Sequence, residues 1–147
     1  MSLKHQITED MKTAMRAKDS VRLGAIRLLL AAIKQREVDE RIELTDNDVI
    51  AVIEKMLKQR RDSISAYESA NRTDLADIEK FEVSVLHAYL PQQLTDDEIK
   101  VLLEKVIAES GATGMKDMGA VMAAIKLLVA GKADMGKLSG LIKARLV

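Results

Sequence analysis

Lys116 and Lys132 are the residues whose setting best suits chemistry. Lys116 opens the run Lys116-Asp117-Met118-Gly119-Ala120-Val121-Met122, and Lys132 sits in Gly131-Lys132-Ala133-Asp134. Small residues at a turn let a phosphate backbone approach closely, and amides at a helix start attract anions. Lys126, Lys137, Lys143 and Arg145 follow nearby, so residues 111–147 hold six basic and two acidic side chains, a net +4. The pattern is that of a surface that grips nucleic-acid phosphates. It is equally that of solvated lysines between ordinary helix caps, with Gly131 as a C-cap and Asp134 as an N-cap. Asp117 and Asp134 repel phosphate, so both fit better as caps, or as a pair fixing two helix starts. Met118, Gly119 and Met122 read as close helix packing.

A second basic cluster is Lys55, Lys58, Arg60 and Arg61. On a helix Lys58 and Arg61 share a face, either to contact phosphates or to form ion pairs with neighbours such as Glu54 and Asp62. Arg72 is placed to extend that surface.

Other chemistries find little support. His5 and His87 belong to no ligand-spaced set, which argues against zinc. With no cysteine, there is no disulfide framework, thiolate metal site or cysteine nucleophile. Gly-x-Ser-x-Gly and Gly-x-x-x-x-Gly-Lys-Ser/Thr are both absent. The carboxylates Asp74, Asp77, Glu79, Glu82, Asp96, Asp97 and Glu98 fall mostly at helix starts, where the helix dipole already favours them. No catalytic residue, metal or cofactor is assigned.

The elements that position these residues are helices. Aromatics are 2% of the 147 residues and apolar residues 48%, so the core must be built from Leu, Ile, Val, Ala and Met. Leu3, Ile7, Met11 and Met15 give a first helical stripe. Asp19 caps a second helix to about Glu40, burying Val21, Ala25, Leu28, Leu29, Ala32 and Ile33. Thr45 caps a long third helix. A fourth starts near Thr73 and buries Leu75, Ile78, Phe81, Val85 and Leu86. Pro91, the single proline, ends that helical region. Thr95-Asp96-Asp97-Glu98 is a capping box for helix five, which Gly111 ends. Helix six is expected from about Lys116 to Ala130, with Gly131 at its left-handed C′ position, and Asp134 caps helix seven. The expected fold is all-α: a bundle of about four helices over residues 1–90 and three shorter helices over 91–147.

In the Lys116–Met122 run, in Tyr89-Leu90-Pro91-Gln92-Gln93-Leu94 and in Asn71-Arg72-Thr73-Asp74-Leu75-Ala76, the chain resembles the free-standing YqeY proteins. Their domain also forms the tail of GatB, a subunit of the tRNA-dependent amidotransferases. The resemblance runs from about the first helix to the last residue. One departure is that many relatives carry a proline late in helix six, where this chain has Lys126-Leu127. The resemblance implies a helical domain joined to a smaller tail domain. It also implies a module that binds or positions tRNA without catalysis; the charge pattern and helix spacing offer Lys116, Lys132, Lys137, Lys58 and Arg61 as its contacts. Carbon–nitrogen ligation with glutamine as amido donor is the alternative that the family label carries, within a larger complex. A third is docking on an aminoacyl-tRNA synthetase or another translation protein. The N-terminus has no apolar targeting core and no run approaches the ~18 residues of a spanning helix, so a cytoplasmic address without membrane association is the expectation.

Overall fold

The computed structural model describes residues 2–147, which contain seven α-helices and no strand. They group into two compact units, the first ending at Leu90 and the second spanning Pro91–Val147.

In the first unit, α1 (Leu3–Arg16) starts where Ser2 accepts the His5 amide, and α2 (Ser20–Glu40) where Asp19 accepts the Arg22 amide. The third helix, α3 (Asp46–Ser69), is opened by a capping box in which Thr45 and Asp48 satisfy each other's amides. Next comes α4 (Thr73–His87), reached through a turn in which Asn71 is left-handed, with φ 58°. Fully buried Ile7, Ile26, Leu29, Ile33, Val49, Ile53 and Leu86 form the centre of the core. Polar ties run around it. The Tyr89 hydroxyl donates to Asp10 Oδ2 at 2.6 Å, and burial together with that hydrogen bond pushes the phenol well above its ordinary pKa. Lys4 donates to both carboxylate oxygens of Glu37, and Oε2 also accepts the Leu44 amide at 3.0 Å.

The second unit packs α5 (Asp96–Ser110), α6 (Met118–Leu128) and α7 (Met135–Leu146) around Ile99, Leu103, Val121, Ile125, Val129, Leu138 and Ile142. Thr95 and Glu98 form the expected capping box, and Gly111 ends α5 with φ 70°. No helix among the described residues is long and apolar enough to cross a membrane.

Several expectations require correction. Val21 is 55% exposed, Leu28 48% and Ile78 52%, and Met15 is also exposed. The reason at α2 is that its apolar residues make two stripes; packing selects Ala25, Ile26, Leu29 and Ile33, and Val21 and Leu28 fall on the other. Helix six begins later than Lys116. The Asp117 amide bonds to the Gly114 carbonyl, which closes a 3₁₀ turn over Met115–Asp117 before α6 starts at Met118. The helix also stops at Leu128, two residues short of Ala130.

Candidate nucleic-acid interface

The turn between α6 and α7 is built by backbone chemistry. The Lys132 amide donates to the Val129 carbonyl at 2.8 Å, and Gly131 takes φ 73°, a conformation that costs an L-residue about 1–2 kcal/mol. Asp134 then starts α7, its carboxylate accepting the Gly136 amide at 3.0 Å. The segment after Pro91 fastens this turn from outside. Gln93 Nε2 donates to the Gly131 carbonyl at 2.7 Å and to the Pro91 carbonyl at 2.9 Å, and the Leu94 amide donates to the Lys132 carbonyl at 2.8 Å. Gly131 is buried by this arrangement, and the Lys132 side chain is exposed.

Lys116 lies exposed in the 3₁₀ turn that leads into α6. The neighbouring Asp117 carboxylate makes no cap to α6. It accepts the Thr113 amide at 2.9 Å and so clasps the turn ahead of the helix. With Asp134 on Gly136 and Asp117 on Thr113, both carboxylates already take nearby amides. Asp134 thus occupies one first-turn amide of α7, whereas Asp117, turned to Thr113, occupies none of α6.

The rest of the basic tail divides by its pairing. Lys137 Nζ lies 2.7 Å from Asp96 Oδ1, and Arg145 forms a two-pronged pair with Glu104, which holds that carboxyl below the ordinary glutamate range. Both pairs are about half exposed and so contribute little stability. Lys116 and Lys132 belong to neither.

On α3 the second cluster separates. Arg60 turns inward, Nη1 donating to Glu79 Oε2 at 3.0 Å and Nη2 lying 3.0 Å from Glu82 Oε2 on α4. Lys55, Lys58 and Arg61 remain on the exposed side; Glu54 and Arg61 each have an interaction of their own. Arg72 is tied to Asp74 by two hydrogen bonds of 3.1 and 3.2 Å. Of the helix-three cluster, Arg60 alone is drawn to α4, and Lys55, Lys58 and Arg61 stay exposed.

Met118 and Met122 pack partly buried against the second core. Gly119 does not fill the close-packing role expected of it: nothing lies within 4 Å of the position its Cβ would take. The Gln93 clasp is not legible in the sequence: a pair of amide side chains directly after Pro91 marks the place, but a pattern of that kind does not name its acceptor. Among the described residues, no three His, Cys, Asp or Glu side chains group to hold a metal ion.

The sequence pattern of the Yqey-like protein family matches residues 4–146. Curated relatives share the name altered inheritance of mitochondria protein 41, mitochondrial. That of Vanderwaltozyma polyspora is 33% identical over 120 residues, covering 76% of this chain and 64% of the relative. Those of Meyerozyma guilliermondii and Saccharomyces cerevisiae are 32% and 31% identical, covering 75% and 69% of this chain and 61% and 59% of theirs. The chain thus spans less than two thirds of the length of these relatives. Their names overturn the cytoplasmic address expected from the N-terminal residues, since each is designated mitochondrial.

Proposed function

Because this chain belongs to the Yqey-like protein family, we propose that it is a non-catalytic module that binds or positions tRNA. The observation that carries the reading is Lys132, an exposed cation on a turn fixed by three backbone carbonyl contacts. Lys116 is the second member of the surface, and Lys137 joins it when phosphate replaces Asp96 as its partner. Lys58 and Arg61 form a separate candidate surface on α3. The resemblance to the GatB tail supplies the class of ligand. A pre-set turn supports phosphate contacts at low entropic cost, and two to four such contacts give modest, salt-dependent affinity.

The test is fluorescence anisotropy with labelled tRNA, drawn from mitochondria and from total cellular pools, at 50 and 200 mM salt. Binding should weaken about 10- to 100-fold across that range and be lost in Lys116→Glu/Lys132→Glu. Binding that the double variant leaves unchanged removes the tail from the interface; binding lost in Lys58→Glu/Arg61→Glu instead moves it to α3. No binding at 50 mM salt rejects the RNA reading.

A further inference from the structure

Helix α2 is apolar on two sides, and one of them is uncovered. Opposite the buried Ala25, Ile26, Leu29 and Ile33 run Val21, Gly24, Leu28, Ala31, Gln35 and Val38. Their alternating steps of three and four residues are the 3.5-residue repeat of a helix–helix seam. Val21 is 55% exposed, Leu28 48% and Val38 62%, and space is open beside Gly24. A surface helix ordinarily has one apolar stripe facing the core. The second stripe here is about 26 Å long at 1.5 Å per residue, which is five turns for a partner helix to cover.

Charge indicates what kind of helix. Arg27 and Lys34, seven residues apart and both exposed, flank the seam on one side; Arg41 lies past the helix, at its left-handed C-cap. The ion pairs of α2 use Arg22 and Arg36 instead. On the other flank stand half-buried Ala32 and exposed Asp39, and Asp39 accepts a hydrogen bond from Gln35 at 2.9 Å. A second copy of this chain would offer one engaged carboxylate against two cations. We propose that the Val21–Val38 face of α2 docks an amphipathic helix of another protein, one with apolar residues at 3.5-residue spacing and a row of Asp or Glu beside them.

The probe is a fluorescein-labelled synthetic 21-residue helix with Leu at the seam positions and Glu on both flanks, compared with one carrying Lys on the flanks. The full-length protein should bind the Glu peptide at least about tenfold more tightly than the Lys peptide. Leu28→Lys and Val38→Lys, both exposed changes checked for retained helicity by circular dichroism, should each weaken the Glu peptide about tenfold. Arg27→Glu/Lys34→Glu should reverse the preference between the two peptides. Equal affinity for both, or indifference to both seam variants, overturns the proposal. So does a dimer in sedimentation that Leu28→Lys dissociates, which assigns the face to a second copy, or an Arg27→Glu/Lys34→Glu protein that loses tRNA but keeps its peptide preference.

Discussion

Gln93 Nε2 donates to the carbonyl of Gly131 at 2.7 Å, across 38 positions of sequence. Two stretches that looked independent, the Pro91-Gln92-Gln93-Leu94 segment and the Gly131-Lys132-Ala133-Asp134 turn, are therefore one construction. The neighbouring Leu94–Lys132 backbone bond closes it. Lys132 is presented by a turn whose position is set from two directions, and that is what distinguishes it from the other exposed lysines of the tail.

Removing the Gln93 donor should loosen that turn. Gln93→Leu leaves the half-buried carbonyls of Gly131 and Pro91 without their side-chain partner, a loss of about 1–2 kcal/mol. Gln93→Glu should do no better, because an ionised carboxylate only accepts. Urea unfolding of the full chain measures the stability. Hydrogen exchange localises it: the Leu94 amide, bonded to Lys132 O, should exchange faster in both variants. Unchanged protection at Leu94 would show that the clasp contributes nothing.

Helix starts with a side-chain cap were the most legible part of this fold, because caps are local chemistry. Asp19, Thr45, Thr95 and Asp134 each accept an amide two or three residues ahead, and such residues announce themselves by type and offset. What stayed hidden depended on neighbours distant in sequence. The apolar residues of α2 satisfy two helical stripes, and only packing against α1, α3 and α4 chooses between them. At the candidate site the lysines and the glycine turn were visible, since both are properties of a few consecutive residues. The Gln93 clasp has no periodicity, so nothing in the chain near residue 93 points to residue 131.

The glycines of the second unit should respond to alanine in opposite directions. Gly131→Ala forces an L-residue into φ 73° and should cost about 1 kcal/mol. Gly140 lies inside α7 with nothing within 4 Å of a prospective Cβ, so Gly140→Ala should add about 0.5–1 kcal/mol by reducing unfolded-state entropy. Gly119→Ala, equally open, should be neutral or mildly stabilising. Thermal melts of the three variants decide it; a large loss at Gly119 would restore the packing role that open space denies it.

Arg60 and its two carboxylates should leave a mark on the pH dependence of stability, with a sign opposite to that of most acidic groups. Arg60 serves Glu79 by a hydrogen bond, but Glu82 Oε2 is buried without one despite the guanidinium 3.0 Å away. Burial therefore outweighs the attraction of Arg60, and the Glu82 pKa is raised above 4.5. The folded protein then holds that proton more tightly than the unfolded chain. Between pH 4.5 and the raised value, this group's contribution to stability falls as pH rises. Glu82→Gln keeps the shape and removes the buried charge while Arg60 retains Glu79, so stability at pH 7 should hold or increase and the slope in that window should flatten. Arg60→Ala leaves both carboxylates unpaired at about 15% exposure and should cost about 2 kcal/mol, below the loss for a fully buried pair because some solvent reaches these groups. Urea unfolding at half-unit pH intervals from 4 to 8 reads both effects. A Glu82→Gln protein less stable than the parent at pH 7 would mean that the Arg60 pairing dominates after all, and that the buried Oε2 is hydrogen-bonded in solution.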